Sequence, residues 1–189
     1  MTWGDAERPP KLPTLRPRSK SAASASAAAP VGIRPYDPAQ DARALRACIV
    51  EIQDHHHVLE GWPPGEAIAD TYLKWIADRC RALQGCIFLA EEAEVVVGFV
   101  CVLGSVPGDA PDDPEPCAFI TDVIVRDGHR RKGVATALMA HAEAYARACG
   151  APTLRLGVLS RNTDAAALYD RLGFREYVRV LTKTLGPTA

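Results

Sequence analysis

Several function classes are missing from this sequence before any motif is read. Charge of neither sign dominates: the 189 residues carry a formal net charge of −1. A nucleic-acid binder needs a basic face, and no global excess supplies one. No apolar run approaches the roughly 20 residues that cross a bilayer, so no membrane role is expected. No hydrophobic signal-peptide core is present either. The six cysteines (Cys48, Cys80, Cys86, Cys101, Cys117, Cys149) stand singly, without a C-x-x-C pair. That speaks against zinc and dithiol chemistry, and no metal is expected. Several fall in apolar stretches, where a free cysteine acts as a small hydrophobe, so they are expected as core thiols of a cytoplasmic protein. A G-x-G-x-x-G dinucleotide fingerprint is absent. The spacing from Gly128 to Gly133 suits a P-loop, but Val134 and Ala135 stand where Lys and Ser/Thr are required. There is no internal repeat.

The remainder reads as one ordinary domain with an appendage. Apolar content of 48% and charged content of 24% are normal for a chain that builds a core. Residues 1–30 are the exception. From Arg8 to Pro30 only Leu12 and Leu15 are large and apolar, so this stretch is expected to be a disordered basic tail rich in Pro, Ala and Ser. Residues 31–189 are expected to form the domain. It opens on a short strand at Val31–Arg34. Asp37, Pro38 and Gln40 then carry a helix-start signature. Leu45, Cys48, Ile49 and Ile52 follow at helical spacing, and that helix is expected to end near His55. After a Gly/Pro loop (residues 61–65), Ile68, Tyr72, Trp75 and Ile76 mark a second helix. Strands are expected over 86–90 and 95–103 as a hairpin, and over 119–125 after a Pro/Asp loop. A helix over 133–149, a strand over 153–159, a helix over 163–172 and a last strand over 174–184 complete the pattern. The order β-α-α-β-β-β-α-β-α-β predicts an α/β fold with a mixed central sheet flanked by helices.

The stretch with chemical content runs from Asp122 to Leu138. A strand ends, a polar loop turns, and a helix begins near Gly133. A helix start presents unpaired N–H groups and the positive end of the dipole, which suits a diphosphate. Gly133 has no Cβ to hold a ligand off the backbone, and Ala135 keeps the next turn small. Arg126, His129, Arg130, Arg131 and Lys132 surround that start with positive charge. The dipole contributes only about 0.3–1 kcal/mol at a surface and up to about 2 in a partly buried site, so backbone bonds and basic side chains must supply most of the affinity.

These residues carry a family pattern. Arg130-x-x-Gly133-x-Ala135 resembles the Q/R-x-x-G-x-G/A acetyl-CoA signature of the GNAT family of N-acetyltransferases. Asn162, Ala165, Leu168, Tyr169, Gly173 and Phe174 resemble its second signature, N-x-x-A-x-x-L-Y-x-x-x-G-F. The two are separated by one helix and one strand, as in that family, and the resemblance covers roughly residues 31–185. It implies a sheet splayed between its fourth and fifth strands, with acetyl-CoA as co-substrate. Backbone of Val123, Ile124 and Val125 would meet the pantetheine arm. Arg130, Arg131, Lys132, Gly133, Val134, Ala135 and Thr136 would form the diphosphate cradle. Tyr169 stands where the family places the acid that protonates the leaving thiolate, and a phenol of pKa about 10 carries its proton at neutral pH. Asn162 would cap its helix or contact pantetheine or a water.

The base is less defined. Where some relatives carry Glu-Asp on the fourth strand this chain reads Thr121-Asp122, and Asp122 is the candidate, with a structural hydrogen bond as its other reading. His55, His56 and His57 stand near the region that walls the acceptor site in the family; one could serve as base, or they form a solvated helix end. His129 and His141 read as loop and helix-surface residues. Trp62, Tyr72 and Trp75 line an acceptor pocket or pack. The acidic loop from Asp109 to Glu115 either selects a cationic acceptor or is solvated surface. The acceptor, a small-molecule or a protein amine, is left open, as is monomer against homodimer.

Overall fold

Asp37 starts the first helix as its position predicts. Its Oδ1 accepts from the Ala39 amide at 2.9 Å and its Oδ2 from the Gln40 side-chain amide at 2.8 Å. The computed structural model of the chain describes residues 31–108 and 111–185. The tail, residues 1–30, and Asp109 and Ala110 of the acidic loop lie outside them. The chain divides into two compact units with the boundary between Gly157 and Val158.

The first unit contains β1 (Gly32–Pro35), α1 (Pro38–Glu60), α2 (Gly65–Ala82), β2 (Gly85–Glu92), β3 (Val95–Val106), β4 (Cys117–Val125), α3 (Val134–Ala148) and β5 (Leu154–Leu156). Helix α1 runs beyond the predicted end at His55, so all three adjacent histidines are helical. Its stop is Gly61 at φ +71°, whose amide donates to the His57 carbonyl at 2.8 Å. The left-handed glycine, not the run of rings, ends the helix.

The five strands form one mixed sheet in sequence order, β1 to β4 antiparallel and β4 with β5 parallel. Ala93 and Glu94 both take positive φ between β2 and β3, as a tight right-twisting hairpin demands. Alternation along the strands feeds two cores. Leu89, Phe99, Cys101 and Ile124 join Leu45 and Ile49 of α1 and Ile76 and Cys80 of α2 in one buried cluster. Phe88, on the opposite face, packs edge-on against Tyr145 of α3, ring centroids 5.7 Å apart. Helices thus flank the sheet on both sides. Between β3 and β4 the register slips: Cys101 faces Asp122, but Val102 faces Ile120, which leaves Thr121 as an extra residue in a bulge.

Two expectations need correction. The strand predicted over 153–159 is only three residues long, Leu154–Leu156. The strand predicted over 174–184 is not formed in the second unit. Among the described residues that unit has one helix, α4 (Thr163–Arg171), and residues 174–185 form neither helix nor ladder. Tyr177, Val178, Val180 and Leu181 have the composition of a strand but are exposed. Strand preference is preference for a half-buried surface within a ladder, and local composition alone does not make a strand. Among the described residues no helix is long and apolar enough to cross a membrane.

Candidate active site

The sheet opens where β5 stops. Ladder pairs join β4 to β5 only from Ala118–Leu154 to Ile120–Leu156, whereas β4 stays paired with β3 out to Val125. Between Thr121 and Val125, β4 therefore has no strand beside it on the β5 side. Val123, Ile124 and Val125 lie on that stretch.

Beyond Val125 the chain turns through a loop with three residues at positive φ, Gly128 (+82°), Arg131 (+63°) and Gly133 (+86°). The first is a four-residue turn in which the His129 amide donates to the Arg126 carbonyl at 3.1 Å. Gly133 is the N-cap of α3, and no side chain caps it. The Ala137 amide makes the bond to the Gly133 carbonyl, at 3.0 Å, so the amides of Val134, Ala135 and Thr136 have no acceptor within the helix. The first turn of α3 holds no acidic residue that would compete for them. A Cβ at Gly133 would meet nothing within 4 Å, so the positive φ, not crowding by protein, requires glycine there.

The surrounding basic residues divide into two groups. Arg126 Nε donates to Glu51 Oε2 at 3.2 Å, His129 Nδ1 lies 2.7 Å from Glu92 Oε2, and Arg130 donates back to the Val125 carbonyl at 2.8 Å while pairing with Asp127 at 2.9 Å. These three brace the loop. Arg131 and Lys132 are exposed and form no ion pair among the described residues. They are the two cations presented outward beside the uncapped amides. All the residues expected to form the cradle, from Arg130 to Thr136, are thus contiguous with the open stretch of β4. The guanidinium of Arg130 is spent on the loop itself.

Asp122 lies inside the α1/α2 side of the sheet, 4% exposed. Tyr72 of α2 donates its hydroxyl to Asp122 Oδ1 at 2.7 Å, and Gln53 of α1, also buried, bonds to the same phenol. Oδ2 is buried without a partner. Burial pushes the Asp122 carboxyl above the ordinary carboxylate range, only partly offset by the tyrosine bond. Burial and the Asp122 charge together push the Tyr72 phenol well above its ordinary value. Tyr72 also stacks at 5.3 Å on Trp75, which holds the Arg79 guanidinium 5.1 Å above its ring. The sequence did not single out Glu51, Glu92 or Gln53. The available signal was weak: Glu51 and Gln53 flank the apolar stripe of α1 at Ile49 and Ile52, where a polar residue borders the core.

Of the three histidines, His57 Nδ1 lies 2.5 Å from the Trp62 carbonyl, and His56 sits edge-on to the Trp62 ring at 5.6 Å. Burial, then the neighbouring His55, lowers the His56 pKa. Asp113 of the acidic loop is bound by both terminal nitrogens of Arg155, at 2.6 and 2.9 Å. His141 Nδ1 donates to the Ala137 carbonyl at 3.0 Å, one turn back on α3. Among the described residues no group of three or more His, Cys, Asp or Glu side chains is arranged to hold a metal ion.

The second unit holds the other signature. Asn162 Oδ1 accepts from the Ala165 amide at 3.2 Å and so caps α4. Gly173, at φ +88°, closes the helix, and the Phe174 amide donates to the Tyr169 carbonyl at 3.0 Å. The rings of Tyr169 and Phe174 meet edge-on at 5.9 Å.

With this geometry in hand, comparison with known proteins is direct. Residues 48–174 match the Acetyltransferase (GNAT) family, and the chain belongs to that family. It is 34% identical over 91 residues to human N-acetyltransferase 8, covering 48% of this chain and 39% of that protein. It is 46% identical over 55 residues to streptothricin acetyltransferase of Streptomyces lavendulae, 29% of each. The matches thus span less than half of either relative. The fold is similar to that of the aminoglycoside N-acetyltransferase AAC(6')-Iy solved with CoA, with a TM-score of 0.63 at 20% identity, over 86% of this chain and 99% of that one. The family and the α/β fold expected from two short signatures are both met.

Proposed function

We propose that this protein moves an acetyl group from acetyl-CoA to a primary amine by direct attack in a ternary complex. The observation that carries the reading is the continuity of the β4 edge, open past Ile120, with the uncapped amides of α3 beside Arg131 and Lys132. The open edge offers backbone groups to the amide-bearing pantetheine arm, and the amides of Val134 to Thr136 offer donors to a diphosphate.

In the proposed reaction the amine nitrogen attacks the thioester carbonyl carbon, the carbon–sulfur bond breaks, and the thiolate takes a proton from Tyr169. The ammonium proton must leave as well. For a lysine-like acceptor the free amine lies about 4.6 kcal/mol above the ammonium at pH 7. Asp122 is the proposed proton acceptor, reached through water. The raised pKa that burial gives it moves it in the direction a base needs. Asn162 is proposed to act mainly as the α4 cap. The acceptor is a small amine or a protein amine, in a reducing, cytoplasmic setting that suits the six thiols. The chain is taken as a monomer or homodimer. Release of free thiol from acetyl-CoA, followed against amines, polyamines, aminoglycosides and peptides, tests the proposal. Tight acetyl-CoA binding with no thiol release on any amine would favour a CoA-binding module instead.

A further inference from the structure

Glu51 belongs to no signature, yet its carboxylate meets three residues of the loop between β4 and α3. Its Oε1 accepts from the Asp127 amide at 2.8 Å and lies 3.8 Å from Arg130, and its Oε2 accepts from Arg126 at 3.2 Å. The carboxylate is a quarter exposed, so these charge-assisted bonds are partly shielded. From the other side, Glu92 of β2 holds His129 at 2.7 Å. The loop needs such anchors for two reasons. It crowds four Arg and Lys cations into seven positions from Arg126 to Lys132, which repel one another. It also keeps a non-glycine residue, Arg131, at positive φ. Glu51 neutralises the cations that face inward and leaves the amides of Val134 to Thr136, with Arg131 and Lys132, untouched.

We infer that Glu51 is a positioning residue: from α1 it holds the β4–α3 loop in its ligand-ready shape and so sets affinity for the diphosphate end of coenzyme A. This rests on the reading of that loop as the diphosphate site. Without the carboxylate the loop relaxes, and binding must order it again. The Glu51 effect therefore depends on how much of the ligand reaches the loop. Pantetheine, which lacks the diphosphate, is insensitive to it.

The test is calorimetry with coenzyme A and NMR titration with pantetheine on the full chain and on Glu51→Ala and Glu51→Gln. Glu51→Ala is expected to weaken coenzyme A roughly tenfold, the loss of about one charge-assisted hydrogen bond. Pantetheine affinity should stay within about twofold. Glu51→Gln keeps an acceptor for the Asp127 amide but loses the charge, and should fall between; it carries the test alone if the alanine variant does not fold. Coenzyme A affinity unchanged in the variants, or pantetheine weakened by the same factor, overturns the inference while wild type still prefers coenzyme A. Should wild type bind pantetheine as tightly as coenzyme A, the diphosphate reading fails and the inference with it.

Discussion

Two glycines of one loop separate a backbone requirement from a ligand requirement. Gly128 and Gly133 sit at φ +82° and +86°, and a Cβ on either would meet no protein atom within 4 Å. Alanine at either position therefore carries the same penalty, the left-handed strain of about 1–2 kcal/mol, and no clash. For a chain of this size that lowers Tm by roughly 2–8 °C in each variant. The two should part on coenzyme A. At Gly133 the new methyl stands at the entrance to the uncapped amides of α3, where the diphosphate is proposed to lie. Loss of one or two charge-assisted bonds there, each about 1.5–3 kcal/mol, weakens binding by at least about tenfold. At Gly128 the methyl points to solvent from a turn that donates nothing to the ligand, and affinity should change by less than about threefold. Differential scanning calorimetry gives the first quantity and isothermal titration the second. Equal loss of coenzyme A affinity in the two variants would refute the placement of the diphosphate at Gly133.

Three further outcomes follow from the same geometry. Arg131→Ala with Lys132→Ala should weaken coenzyme A and flatten the dependence of its Kd on salt, since these are the cations facing outward; an unchanged salt slope would assign the attraction to other groups. Tyr169→Phe should lower thiol release at least about tenfold while coenzyme A affinity holds, and unchanged turnover would remove Tyr169 from the acid role. Asp122→Asn should gain stability relative to wild type as pH rises. The folded pKa is raised above its usual 3.8, so the carboxyl is easier to keep protonated in the fold, and wild type loses stability from about pH 4 upward until its folded pKa is passed. Urea melts of both proteins from pH 4 to 8 measure the difference, and a flat difference would refute the burial argument.

How much of this was legible in the sequence depends on the range of the interaction behind each feature. The start of α1 was readable because Asp37 accepts from the Ala39 amide and the Gln40 side chain, all within four residues. The end of α1 was misplaced because three histidines look like a fraying terminus, while the stop lay further on in a single left-handed glycine, Gly61. The last strand failed for the opposite reason. Its residues have local strand preference, but a strand is a relation between two chains of amides, and the partner is not written in residues 174–184. The same division runs through the site. The turn from β4 into α3, proposed for the diphosphate, was readable as a turn and helix start because glycine spacing and helix start are local. Glu51, Tyr72 and Gln53 were not assigned their contacts because each acts on another element far away in the chain, the Glu51 carboxylate on Asp127 and the Tyr72 phenol on Asp122. What local pattern does supply is a shortlist. Polar residues that interrupt or border a buried stripe must find partners somewhere, because an unpaired buried polar group costs about 1–3 kcal/mol. Asp122, which has one satisfied oxygen and one without a partner, is where that demand is only half met.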